Sequence, residues 1–265
     1  KYVEFFFVHI STIRISMISQ VRIMTGALLW GAVAGGALLL GAVVGLYIPI
    51  PRKLTGFIMA FGTGVRIGAA SFELMGEVQK ETGYSYIIFG FLIGAALFTL
   101  LEMVIIKKGG NERKRSKEKS EGHSGMAIFI GSIMDSIPES VIIGVSLIKS
   151  NTVSWVIVLA IFISNIPEAL SSSVGLRKDG YSRKKILFLW TIVFILTTLS
   201  SVFGFVVFKE LNELYIYLVS GLAAGGIIAM VASTMMPEAF EEGGPIVGLL
   251  SALGLLCSYV LSSGI

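Results

Sequence analysis

The chain has 265 residues, of which 54% are hydrophobic and 14% charged, with 31 glycines and a formal net charge of +4. No soluble core absorbs so much apolar sequence, and no disordered chain carries it, so the protein belongs among polytopic membrane proteins. A single cysteine, Cys257, excludes an internal disulfide; the expected role is a small buried side chain.

Residues 1–23 carry Glu4, His9, Arg14 and Arg22 among aromatics and fit a membrane span poorly. They are expected to form an extended start or an extra peripheral helix. A cleaved signal peptide fits less well, because no small-residue cleavage pattern follows the apolar stretch. From Met24 onward, runs of about 20 apolar residues give eight expected spans: Thr25 to Ile48, Leu54 to Val78, Tyr84 to Ile106, Gly125 to Ile148, Val153 to Leu176, Ile186 to Phe208, Leu214 to Met236 and Pro245 to Leu261. The connections are short, so residues 24–265 form one all-α bundle. Gly31, Gly35, Gly36, Gly41 and Gly45 in span one, with Gly221, Gly225 and Gly226 in span seven, allow close helix approach. Tight packing and relative motion are equally compatible with them.

The cations set the orientation. Arg52 and Lys53 follow span one, seven lysines and arginines between Lys107 and Lys119 follow span three, and Arg177, Lys178, Arg183, Lys184 and Lys185 follow span five. Loops of opposite parity offer only Lys80, Lys149 and Lys209. The positive-inside bias then makes residues 107–124 a cytoplasmic loop and puts both termini on the other side of the cell membrane. The same topology explains the basic run as a solvated loop beside the lipid, with no nucleic-acid partner. His123 in that loop is a lone histidine with no specific role expected.

Two segments deep in spans four and five resemble one another: Asp135-Ser136-Ile137-Pro138-Glu139-Ser140 and Ser164-Asn165-Ile166-Pro167-Glu168-Ala169. A proline and a carboxylate are each costly in hydrocarbon, so their joint recurrence needs a cause. Each proline removes an amide donor and frees a carbonyl one turn back, those of Met134 and Ile163, while the glutamate sets a negative oxygen beside the break. Asp135 and Glu139 share one helix face, as do Ser164 and Glu168; Ser136 and Asn165 lie one position round. Three acids converging in the bilayer point to a bound cation. The plain alternative is protonated acids bonded to nearby backbone. Spans four and five run in opposite directions, so the motif is presented from both sides of the membrane, as inverted repeats require. Three spans on each flank then give a 3+2+3 plan with the site near the midplane.

The paired motifs resemble those of the ZIP family of divalent metal-ion transporters, particularly its prokaryotic branch. The likeness extends from Met24 onward and includes Phe61-Gly62-Thr63-Gly64-Val65 in span two, the charged loop after span three, and Pro237-Glu238 closing span seven. It implies a carrier that moves zinc, iron, manganese or a related ion toward the cytoplasm, with the ion as substrate, no cofactor, and ligands from spans two, four, five and six. On the family pattern, Asp135 stands at a usual histidine, Ser136 at a usual asparagine, Ser164 at a histidine or glutamine, while Glu139, Asn165 and Glu168 match. With imidazole absent and no sulfur in the motifs, an all-oxygen site favours manganese, ferrous iron or magnesium over zinc. Span six reads Thr197-Thr198-Leu199-Ser200-Ser201 and supplies no acid for a second ion, so a single-ion site is expected.

Arg66 departs from the pattern, falling where relatives often have a methionine or another uncharged side chain. It lies about 20 Å along the helix from Arg52, too deep to snorkel with ease. Two arrangements are open: Arg66 pairs with Asp135, Glu139 or Glu168 and leaves a working site of reduced charge, or its guanidinium takes the ion's place. The second would make a ZIP-like scaffold or sensor without transport. Glu73 and Glu77 continue the Arg66 face toward the outer surface, and Glu238, Glu241 and Glu242 gather where span seven meets the cytoplasm; both groups are candidate pathway mouths. Solvated helix ends are the plain alternative. Glu102 is expected to pair with Lys107 or another loop cation. The chain carries no His-Glu-x-x-His, Gly-x-Ser-x-Gly or phosphate-loop signature, so no enzyme is expected, although acid-base work by Asp135 and Glu139 is the competing enzymatic reading. Oligomeric state is not set by the sequence; a homodimer is compatible with it.

Overall fold

The computed structural model describes residues 2–76, 84–107, 124–150 and 153–263; within these, the side chains of 2–19, 84, 105–107, 124–128, 134–135, 149–150 and 213 lie outside the described residues. The described chain is helical throughout and contains no strand. Lipid offers no partner for a backbone amide, so apolar runs close their hydrogen bonds within the segment. In chain order the helices are α1 (Tyr2–Tyr47), α2 (Arg52–Gly68), α3 (Tyr84–Lys107), α4 (Ser124–Ser150), α5 (Trp155–Lys178), α6 (Arg183–Phe208), α7 (Glu213–Met230), α8 (Met236–Gly243) and α9 (Val247–Ser262). Ser154, Ser182 and Asn212 cap α5, α6 and α7 by accepting the amides of Ile157, Lys185 and Leu214. Gly180, with φ +87°, turns the chain between α5 and α6 in a conformation that glycine adopts freely. α1 runs unbroken over 46 residues, so the backbone before Met24 continues into the first span.

Two helices widen locally. α2 continues into a π-helical stretch, Ala69–Met75, and α7 into another, Val231–Met235, which leads to α8. Both lie beside the site described below.

Among the described residues, seven helices are long and apolar enough to cross a membrane; the last, Leu214–Ser262, has 49 residues. It reverses direction at Gly244, whose φ is +73°. Contacts with α2 establish the reversal: Met230 meets Arg66 and Gly243 meets Gly56, antiparallel to α2, after which Gly64 packs on Ser251 and Gly68 on Ser258 in parallel.

The helices form two groups. In one, α1 packs on α5 and α6, and α4 packs on α5 and α6; in the other, α2 packs on α8 and α9, and α3 on α7. Glycine sets the tight crossings: a Cβ at Gly41 would overlap Ile166 of α5, one at Gly144 Ser201 of α6, one at Gly94 Leu222 of α7, and one at Gly254 Phe61 of α2. Backbones that close gain dispersion contact and exclude lipid. The broadest seam between the groups is α2 on α5.

Candidate metal centre

α4 and α5 each stay helical through their prolines, Pro138 and Pro167, and so hold Glu139 and Glu168 one residue beyond a missing amide donor. Glu139 is 4% exposed, whereas Glu168 is half-buried. Glu139 of α4 and Ser164 and Asn165 of α5 meet at one guanidinium, that of Arg66. Asp135 belongs to α4, but its side chain lies outside the described residues. Ser136 is buried, and its hydroxyl donates back to the Ser132 carbonyl within α4.

Arg66 of α2 enters this group from across the seam and is 1% exposed. Nε–H donates to Ser164 Oγ. Nη1 stands 2.6 Å from Glu139 Oε1 and donates to Met230 Sδ at 3.4 Å. Nη2 donates to Glu139 Oε2 at 3.1 Å and to Asn165 Oδ1 at 2.9 Å. Nε and both Nη nitrogens of the guanidinium thus donate, while Glu139 Oε1 lies in ion contact with Nη1 but accepts no hydrogen bond; such partners offset the cost of keeping the charge out of water. Its acceptors are anchored in turn: Ser164 donates to the Ala160 carbonyl at 2.7 Å, and Asn165 Nδ2 to the Ala34 carbonyl of α1 at 3.3 Å.

Met230 sets a thioether beside the Arg66 guanidinium, a donor type that the two motifs do not contain. α7 lies antiparallel to α2, so the last α-helical residue before its π stretch meets Arg66 with a thioether, a softer donor than any in the motifs. Nothing periodic marked it in the sequence: one methionine in an apolar run looks like any other. The π stretches were equally hidden, although they begin three residues after Arg66 and one after Met230.

The remaining acids separate. Glu73 accepts from Ser154 Oγ at 2.7 Å, at the start of α5. Its chain neighbour Leu74 joins Ile142, Ile157, Ile161 and Ile227 in the apolar wall of a cavity of about 10 Å³ that Arg66 and Glu139 also line, room for about one water. Toward the other end of α5, Glu238 accepts from Ser171 Oγ at 3.3 Å. Glu241 is exposed, Glu242 is half-buried against Gly56, and Glu77 lies outside the described residues. Glu102, expected to meet a cation at the loop, is buried and accepts from Thr234 Oγ1 at 3.0 Å, inside the α7 π stretch; the Lys107 side chain lies outside the described residues. Among the described residues no three His, Cys, Asp or Glu side chains cluster as a ready metal site.

Residues 105–265 match the family model described as ZIP Zinc transporter. The chain is also 30% identical, over 231 residues, to a putative zinc transporter of Arabidopsis thaliana; the match covers 86% of this chain and 36% of that protein. The chain therefore spans little more than a third of the length of that curated relative. Together with the paired Ile-Pro-Glu motifs on two packed membrane helices, these matches establish that the chain belongs to the ZIP zinc transporter family.

Proposed function

We propose that the protein carries a divalent metal ion toward the cytoplasm by alternating access at one site near the bilayer midplane. Glu139 and Glu168 hold the ion, Asp135 adds charge, and Ser136, Ser164 and Asn165 complete the shell. The observation that carries this reading is that residues of both motifs, Glu139 of one proline-containing helix and Ser164 and Asn165 of the other, already surround one cationic group inside the bundle. Met230 widens the ion class: oxygen donors suit manganese, iron or magnesium, while a thioether adds affinity for a borderline ion such as zinc.

The architecture we assign is eight crossings in a 3+2+3 inverted repeat within residues 24–265, with 107–124 cytoplasmic and both termini on the opposite side. The reversal at Gly244 supports an eighth crossing. So does the packing symmetry: exchanging helices one to three with the last three, and α4 with α5, maps the α2–α9 contact onto the α7–α3 contact and the α1–α5 contact onto the α6–α4 contact. The two π stretches fall in the helices so exchanged, α2 and α7. In this orientation the apolar wall beside Glu73 seals the outer side, and the Glu168–Ser171–Glu238 line leads inward.

A second reading has its own observation: a buried guanidinium held by Glu139, Ser164, Asn165 and Met230 is itself a resident cation, and the protein is then a ZIP-fold scaffold or sensor. Uptake of zinc, manganese and iron into proteoliposomes separates the two. Transport predicts saturable uptake that Glu168→Ala abolishes and Glu241→Gln only weakens. Parental rates in Glu168→Ala overturn the assignment, and binding without flux favours the resident guanidinium.

A further inference from the structure

We propose that Arg66 is a displaceable latch between the two helix groups, a tethered cation that the transported ion must remove from Glu139. The inference rests on the transport reading above and assigns that site its control. Arg66 and Met230 belong to one group of helices, whereas Glu139, Ser164 and Asn165 belong to the other. The four hydrogen bonds and the 2.6 Å ion contact therefore cross the seam, except for the one to Met230. A guanidinium–carboxylate pair buried to this degree, with Nη2 donating to Oε2 and Nη1 in ion contact with Oε1, is a strong tie, so it holds the carrier in this arrangement.

A divalent ion taking Glu139 inverts the force. The guanidinium then faces a cation where it had a carboxylate, and the repulsion acts across the seam, because its two ends belong to different groups. Binding energy is thus delivered along the displacement that alternating access requires. The π stretches that begin just after Arg66 and Met230 are the local places where the backbone is already loosened from regular α geometry.

The test compares the parent with Arg66→Gln and Arg66→Lys for zinc affinity and for seam closure. Seam closure is read as disulfide yield between Gly62→Cys and Ile163→Cys, neighbours across α2 and α5, in a Cys257→Ser background. Removing the competitor predicts about tenfold or more tighter zinc binding in Arg66→Gln. The parent should lose cross-link yield on adding zinc, and Arg66→Gln should show the low yield without it. Arg66→Lys keeps the charge but loses the fork, so its affinity should fall between. If both variants bind zinc within about twofold of the parent and cross-link alike, the latch is wrong even while uptake still depends on Glu168. Uptake that ignores Glu168 in every background instead defeats the transport reading beneath it.

Discussion

Arg66 persists inside the bundle because Glu139 balances its charge and Ser164, Asn165 and Met230 accept from it, and the same geometry makes truncation costly. Arg66→Met leaves Glu139 buried beside a thioether with no cation. Breaking a buried pair from one side costs about 3–5 kcal/mol, so the variant should melt well below the parent in detergent without metal. Zinc should then raise its melting temperature more than the parent's, because the ion replaces the missing charge. Equal shifts in both proteins would separate Arg66 from the metal site. Glu139 stood out in the sequence because proline plus carboxylate in an apolar run is expensive enough to need a purpose, and it is the acid that meets Arg66. Met230 did not, because a thioether costs nothing in such a run.

Helix crossings depend on glycines that allow backbones to touch. A Cβ at Gly64 would overlap the Ser251 carbonyl oxygen of α9. Gly64→Ala should therefore lower stability by about 1–3 kcal/mol, measured as a fall in melting temperature, while Gly36→Ala, with open space at its Cβ, should change little. A Gly36→Ala protein that melts as low as Gly64→Ala would contradict this packing. Of the glycines that stand out in sequence, Gly31, Gly35, Gly41, Gly45 and Gly225 do sit against a neighbouring backbone, whereas Gly36 does not. Gly94, Gly144, Gly204 and Gly254 make equally close approaches and carry no stronger local signal. Composition reveals that close approach occurs; the partner helix decides where. The π stretches were illegible for a related reason, since one extra residue per turn is a small local change fixed by tertiary contact.

For the whole molecule, hydropathy was enough for an all-helical membrane chain, because lipid leaves the backbone few alternatives. It could not group the helices: α2, α3, α7, α8 and α9 pack apart from α1, α4, α5 and α6 through side-chain shape, which a hydropathy window does not read. The proposed topology has its own test in a Cys257→Ser background. Ser116→Cys should react with an impermeant maleimide only from the cytoplasmic side, and Lys80→Cys only from the opposite side. Labelling of both from one side would remove the inward direction of transport.

The proposed transport mechanism requires two carboxylates from different helices to share one ion. Glu139→Cys and Glu168→Cys introduced together in the Cys257→Ser background convert that claim into a thiolate pair, read by the cadmium–sulfur charge-transfer absorption. The account predicts one cadmium ion bound by both sulfurs, with the signal falling sharply in either single variant. Absorption in the double variant no greater than the sum of the two singles would mean that the side chains do not meet at a common ion, and would contradict the proposed site.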